Sequence, residues 1–513
     1  MGRVGRVGRE GEGRARLVRV TAPPLAYRLI RGLFRLVVAV FFRRVEVLGL
    51  EHLPRDRGGL LVSWHPNGMV DPGLILTSFP GQVVFGARHG LFRWPLLGLL
   101  LRRVGTVPIY RAVDDGRGDL EARRQANQRS LEALAGRIAA GRFSALFPEG
   151  VSHDDPRPVE MKSGAARLYY QARAQTPPGA PPPAIVPVGL HYDAKDAFRS
   201  SALVAFHPPL TLPPALDVAP APGEDEAATR ERARLLTAEL ERVLHDVVLA
   251  TEDWPVHRLL HRARALLRAE RARRAGAAPD PAGIVEQTVG FARVRAGYLR
   301  RRETDPGAVE ALRARVEAYD RALRALGLED VELDRDPRLL SPWLGAIVAL
   351  QAALVFLLLP PVLVVGFVVN LPTYLALDLL TRATAKLRKD AASIKMLVGA
   401  LAYPATWLAA GLLAAWGHGR LHAAFPNVPD HAVLAGVFTA LTGALGGAVA
   451  VRYQRVAGET WRALRVRLTR RARAEAVGRL RAERAALCDH LVALGDGVDL
   501  PGALAPDGTV RPA

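Results

Sequence analysis

Between Arg338 and Asp378 this chain runs for 39 residues, 339–377, without an aspartate, glutamate, lysine or arginine. A buried helix of a water-soluble domain has no need of so long an uncharged stretch, whereas one crossing of a bilayer takes about 20 residues. The run suffices for two short crossings, and Pro360–Pro361 near its middle disfavours continuation of a helix. We read it as a hairpin, 339–377. Two further uncharged runs, 396–417 and 431–451, each match a single crossing. The segment 381–395 carries five basic residues against Asp390, 417–430 sets Arg420 against Asp430, and 452–484 holds eleven arginines against three glutamates. Basic flanks remain on the cytoplasmic side. Four crossings return both basic segments there and leave the neutral loop outside; a single span at 339–377 would misplace the first basic loop.

The remainder divides by pattern. Half of the 513 residues are apolar, which excludes a disordered chain, and the single cysteine, Cys488, excludes an internal disulfide. The net charge of +20 implies attraction to an anionic partner. Residues 1–24 read as a basic disordered tail without a secretory signal. Residues 25–44 combine Arg28, Arg31 and Arg35 at helical spacing with leucines around the rest, the pattern of an interfacial amphipathic helix. From 45 to 215, runs such as VEVLGL, GLLVSW, QVVFGA, FSALF, AIVPVGLHY and ALVAFH alternate with helical periods at 119–140 and 163–175, which predicts an α/β domain. Residues 216–335 read as wholly helical, with Thr304-Asp305-Pro306 supplying an N-cap and a first-turn proline for the last helix. The transmembrane region spans 336–455, and 456–513 forms a basic cytoplasmic helix and tail.

Chemistry concentrates in the α/β part. His65 directly follows the strand GLLVSW, and Pro66, Asn67 and Gly68 supply a turn that can bring Asp71 back to it. A neutral imidazole so placed can act as general base on a hydroxyl, with the carboxylate fixing its tautomer. Three further stretches follow in order: Gly105-Thr106-Val107-Pro108-Ile109-Tyr110-Arg111, then Phe147-Pro148-Glu149-Gly150, then Ile185-Val186-Pro187-Val188-Gly189. Together they resemble the four motifs of the glycerolipid acyltransferases. The resemblance covers roughly residues 45–210. The family's first motif is His-x4-Asp, whereas five residues separate His65 from Asp71 here. That form, with Phe147–Asp154, is similar to a branch including the fungal glycerol-3-phosphate/dihydroxyacetone-phosphate acyltransferases. The extra residue bears on the acceptor used.

The resemblance implies roles. His65 would take the proton from the acceptor hydroxyl with Asp71 orienting it, Arg111 would hold the acceptor phosphate, and Glu149 and Gly150 would position the glycerol backbone. Lys162 and Arg199, and less directly Arg88, are secondary candidates for the phosphate or donor site. Pro187 would shape the wall near the acyl chain; His89, His191 and His207 are read as structural. No metal or cofactor is expected, because the nucleophile is the substrate's own alcohol and acyl-CoA or acyl carrier protein is a co-substrate. The expected activity is acyl transfer to glycerol-3-phosphate or 1-acyl-glycerol-3-phosphate, giving lysophosphatidic or phosphatidic acid. It would occur in a multi-pass inner-membrane protein with a cytoplasmic catalytic domain. The alternatives are another lysophospholipid or aminoacyl-lipid acceptor, or an inactive acyltransferase-like scaffold. A nucleic-acid partner is disfavoured, since aromatic residues make up only 6% of the chain and the basic runs abut the spans.

Overall fold

The computed structural model describes residues 23–110, 120–221, 223–277, 282–334, most of 346–384, and 388–512. Almost all of the expected basic tail, Arg111, and much of the first limb of the expected hairpin lie outside the described residues.

Seven strands form one sheet: β1 (Arg44–Leu48), β2 (Gly59–Ser63), β3 (Val83–Arg88), β4 (Val107–Ile109), β5 (Phe143–Leu146), β6 (Ala184–Tyr192) and β7 (Ser201–Phe206). Their order is β1-β7-β6-β2-β5-β3-β4. Strands β6, β2, β5, β3 and β4 run parallel, and β7 turns antiparallel to β6. Strand β2 is flanked on both sides, with Leu61 opposite Ala145 of β5 and Val186 of β6. A parallel strand covered on both faces reads as a continuous apolar run rather than an alternating one. This is why GLLVS carries no polar residue before Ser63 and is buried throughout.

Leu61 packs with helices α1 (Leu25–Phe41) and α2 (Val70–Ser78), while Leu60 and Val62 face α4 (Leu120–Ala139) and α5 (Gly164–Gln175). Helix α3 (Pro95–Arg103) lies between β3 and β4 in the chain. Helix α1 buries Tyr27, Ile30, Val38 and Phe41 against the sheet. Its opposite face leaves Leu25, Leu29, Leu33, Leu36 and Val40 at least half exposed. It is a domain helix and an exposed apolar stripe at once.

The next four helices are α6 (Glu226–Val247), α7 (Trp254–Arg274), α8 (Ile284–Thr304) and α9 (Pro306–Ala325). As the sequence predicts, Asp305 caps α9 by accepting the Ala308 N–H at 3.0 Å, and Pro306 occupies the first turn. Asp253 caps α7 in the same way, accepting the Val256 N–H at 2.8 Å.

Three long helices follow: α10 (Leu359–Thr384), α11 (Arg388–Ala424) and α12 (Ala432–Ala472). Two stretches, Ala391–Ala424 and Ala432–Ala472, are long and apolar enough to cross a membrane. The helices approach closely at glycines; a Cβ on Gly411 would lie 2.7 Å from the Gly436 carbonyl oxygen. Asn370 donates to the Gly366 and Gly443 carbonyls at 2.6 and 2.8 Å and accepts the Trp407 indole N–H at 2.9 Å. Asn370 meets Trp407 while Leu377 meets Gly399, so α10 and α11 are antiparallel, as are α11 and α12 at Gly411–Gly436.

Two expectations are corrected. Pro360 and Pro361 lie within the helical stretch of α10 and not in a turn. The basic C-terminal segment is not one lipid-facing helix. Helix α12 runs on to Ala472, the chain bends at Arg473, and α13 (Ala474–Leu494) packs its Leu480, Leu487 and Cys488 into the core of α7 and α9. Arg484 on α13 is fully buried, 3.0 Å from Glu270 and 2.7 Å from Asp334. A short hairpin, β8 (Ala503–Leu504) and β9 (Val510–Arg511), closes the chain against α8.

Helix α7 carries two histidines in ring contact. His257 and His261 have ring centroids 4.8 Å apart, both beside Phe291 of α8. Burial, then the charge of Arg258, lowers His257 to about 4, and burial, then His257 and Arg264, lowers His261 to about 3. Burial, with His207 and His257 nearby, lowers His191 at the end of β6 to about 4. In the unfolded chain all three titrate near 6.5 and take up protons that the folded chain refuses. Their contribution is complete above that pH and is lost as pH falls toward 4. Thermal unfolding of the full chain in neutral detergent should therefore shift to lower temperature over this window. His257→Phe with His261→Phe should flatten that slope relative to the parent.

Candidate active site

The C-terminal ends of β2 and β5 deliver the first and third motifs to one place. Beyond Ser63, the Trp64 indole N–H donates to the Leu190 carbonyl at 3.0 Å, and the His65 backbone N–H donates to Glu149 Oε2 at 2.6 Å. The chain then turns through Gly68, whose φ of 50° lies in the left-handed region that glycine adopts without strain. This turn accommodates the extra residue of the spacing, because Asp71 still reaches His65, with Oδ2 2.8 Å from Nδ1. Asp71 is fully buried. Its Oδ2 also accepts the Asn67 N–H at 2.7 Å, and its Oδ1 accepts the Tyr192 hydroxyl. Burial and the neighbouring Asp71 raise the Tyr192 phenol well above its usual value, so it remains a donor. With Nδ1 donating to the carboxylate, the lone pair of His65 is left on Nε2.

Glu149 stands differently from its expected role. Its side chain is fully buried, and Oε1 accepts from His153 Nε2 at 2.7 Å and from the Val159 N–H at 3.0 Å. Both oxygens are occupied by the protein and neither faces open space. Glu149 therefore ties the third motif to the first, and the His153 N–H adds a bond to the His65 carbonyl at 3.1 Å. Phe147 stacks on the His65 ring at 4.2 Å. Gly150 lies beside them with φ of 67°.

Of the other candidates, Lys162 is exposed and paired with Glu160 at 3.1 Å. Arg199 is turned elsewhere: its guanidinium donates to the Ala39, Val40 and Phe42 carbonyls and so closes the C-terminal end of α1. It holds a helix end and is no phosphate ligand at His65. Arg111 is outside the described residues; Tyr110 before it is clamped by Asn127 at 2.8 and 2.7 Å. His89 stacks on Tyr110 at 4.3 Å. Burial, then His52, lowers the His207 pKa.

Tyr192, Lys195 and Ser393, which sequence reasoning did not single out, complete the site with Asn67, read there as a turn residue alone. Tyr192 ends β6, the neighbour of β2, and reaches Asp71 across the sheet. Asn67 donates to the Lys195 carbonyl at 2.8 Å, while Lys195 Nζ binds the Pro66 carbonyl at 2.9 Å and Asp154 at 2.6 Å. Ser393 on α11 accepts the Met69 N–H at 3.0 Å, and its neighbours Ala392 and Met396 are buried in the core of the α/β layer. Only the sheet order and the docking of α11 bring these together, and no local pattern announces them.

His65 lines a cavity of about 200 Å³. Its walls come from Ile30 and Phe34 of α1, Leu76 of α2 and Leu97 and Leu100 of α3, with Arg88 and Gly150 also on the lining. Among the described residues, no group of three or more His, Cys, Asp or Glu side chains is placed to hold a metal ion. The arrangement is a base held in one tautomer at the mouth of an apolar pocket, which suits transfer of a hydrocarbon-bearing group to a hydroxyl.

Comparison with known proteins agrees. The acyltransferase family profile matches residues 44–191. Glycerol-3-phosphate O-acyltransferase 2 of Saccharomyces cerevisiae is 31% identical over 186 residues, covering 36% of this chain and 23% of that protein. The lyso-ornithine lipid O-acyltransferase of Rhizobium meliloti is 29% identical over 155 residues, 29% of this chain and 47% of that one. The chain thus spans less than half the length of the curated relatives it matches. The crystal structure of the 1-acyl-sn-glycerophosphate acyltransferase of Thermotoga maritima aligns over 42% of this chain and 79% of its own, with 18% identity and a TM-score of 0.28. Residues 44–191 thus form an acyltransferase-type α/β domain, similar in sequence to parts of known glycerolipid acyltransferases.

Proposed function

We propose that this protein is a membrane-bound O-acyltransferase that moves a fatty acyl group from acyl-CoA or acyl carrier protein to glycerol-3-phosphate or 1-acyl-glycerol-3-phosphate. The observation that carries the reading is the His65–Asp71 pair at 2.8 Å, set at the end of an apolar cavity. The acceptor hydroxyl attacks the thioester carbonyl while His65 Nε2 takes its proton. The new ester C–O bond forms, the C–S bond breaks, and the proton passes to the departing thiolate. Asp71 stabilises the imidazolium that forms in between. The acyl chain lies between α1 and α3. Arg111 holds the acceptor phosphate, supported by Arg88 on the lining, and Glu149 acts as a positioning residue.

The membrane reading adds the apolar helices and the exposed stripe of α1. Ser393, at the start of α11, touches the catalytic motif, and Arg462 on the C-terminal half of α12 pairs with Glu332 at 2.8 Å. Because α11 and α12 are antiparallel, both contacts lie at one end of the bundle. The basic segments 381–395 and 452–484 and the α/β domain therefore share a side, which the positive-inside rule makes cytoplasmic. Leu333 sits at that end and Leu359 begins α10 at the other, so the reading keeps two crossings between Leu333 and Lys395. A membrane-impermeant thiol reagent should fail to label Lys389→Cys in intact cells and label it after permeabilisation; labelling of intact cells refutes the orientation.

Membranes containing the protein, given labelled acyl donor and either glycerol-3-phosphate, lysophosphatidate, lyso-ornithine lipid or lysophosphatidylcholine, should acylate one of the first two. His65→Ala should lower that rate by about 10²–10⁴-fold without altering membrane insertion. Product from lyso-ornithine lipid alone would keep the base and replace the acceptor. A Cβ on Gly86 would sit 3.0 Å from Ile109 Cγ1 and 3.1 Å from Leu146 Cδ2, all on the cavity lining. Gly86→Val should therefore lower kcat/KM for long-chain donors by about tenfold relative to short ones; an unchanged chain-length profile would place the acyl group elsewhere.

A further inference from the structure

A cavity of about 310 Å³ lies in the helical region and shares no lining residue with the His65 pocket. It opens between α7, α8, α9, α13 and the terminal hairpin, with hydrocarbon walls from Leu259, Leu267, Leu312, Val316, Leu491 and Leu494. Gly297 on α8 leaves a trough along one side, since a Cβ there would meet no atom within 4 Å, whereas Gly290 is covered by the stem of Arg264.

Five arginines, Arg264, Arg268, Arg271, Arg293 and Arg313, line it against two carboxylates, Glu286 and Asp496. Glu286 is held by Arg268 at 2.6 Å. Arg264, Arg271 and Arg293 form no ion pair among the described residues. Arg264 has only Gln287 Oε1 at 3.4 Å, and its Nε is buried without a partner. Arg293 is satisfied by three backbone carbonyls, those of Leu500, Pro501 and Gly502, at 3.2, 2.9 and 2.8 Å. Burial lowers the Arg264 pKa to about 10 and lowers those of Arg271 and Arg293. Glu286 and Asp193 offset only part of that burial at Arg264; withdrawing cations from water without full counter-charge is costly, and an anion entering the cavity would lower that cost.

We propose that this cavity is a second lipid site, which binds a single-chain anionic amphiphile, an acyl chain bearing a carboxylate or a phosphate. The chain lies along the leucine walls and the glycine trough, and the head meets Arg264, Arg271 and Arg293. A volume of this size falls at the lower end of small-ligand sites, about 300–1,000 Å³. The site does not depend on the catalytic reading, since none of its residues contacts His65.

The test uses the full chain in phosphatidylcholine nanodiscs, photolabelled with a diazirine fatty acid and, separately, with the matching diazirine lysophosphatidate. Peptides from 259–316 or 487–504 should be labelled by at least one probe, in His65→Ala as in the parent. Unlabelled probe should displace the label, and inorganic phosphate should not. Gly297→Leu, which fills open space on a helix, and Arg271→Gln with Arg293→Gln should each lower that labelling at least tenfold, with thermal unfolding of Gly297→Leu close to the parent's. The carboxylate and phosphate arms tell which head group is taken. Label confined to the His65 pocket and α10–α12, or unaffected by both variants, overturns the proposal.

Discussion

The site depends on one buried anion. Glu149 sits where β5 ends, out of water, and each of its oxygens is claimed by a donor from a different piece of chain: the His65 N–H, the His153 ring and the Val159 N–H. Hydrogen bonds to a charged group are worth about 1.5–3 kcal/mol, and a buried carboxylate deprived of them would be left with its full desolvation cost. The loop after β2 and the loop after β5 consequently cannot move independently. His65 receives its backbone position from Glu149 and its ring orientation from Asp71. The base is thus defined by two carboxylates, neither of which is free to meet a substrate.

The sheet supplies what these bonds alone cannot. Because β6, β2 and β5 are parallel neighbours, their C-terminal ends present Tyr192, His65 and Glu149 side by side. Arg199, in the loop between β6 and the antiparallel β7, is spent on the end of α1. Helix α11 adds a contact from 324 residues further along the chain, with Ser393 receiving the Met69 N–H at the start of α2. Apolar packing of Ala392 and Met396 in the same core fixes that contact. Helix α11 is therefore part of the wall around the first motif.

Much of this was legible in the sequence, for identifiable reasons. Doubly covered strands are uniform apolar runs, so the six runs beginning with VEVLGL could be found without knowing their order. His65 and Asp71 could be paired because a Pro-Asn-Gly turn lies between them. Strand β4, only Val107–Ile109, was too short to show a pattern, and α2 was hidden because its first turn carries Asp71. The role of Glu149 was misjudged because burial is a tertiary property: the same residue at the same spacing would face a ligand if His153 and Val159 did not fold over it. Arg484 shows the same limit, since an arginine in a basic helix reads as exposed until Glu270 and Asp334 are seen around it. Pro360 and Pro361 show the reverse, because a proline pair that looked like a turn lies within a helix.

The architecture places two kinds of apolar surface in register. The outer stripe of α1, from Leu25 to Val40, and the exposed leucines of α11 and α12 are both unsatisfied in water. Helix α1 contacts α11 directly, so the stripe and the bundle are rigidly related. Ile30 and Phe34, on the opposite side of α1, line the cavity that ends at His65. One helix therefore separates the exposed apolar face from the reaction pocket by a single layer of side chains.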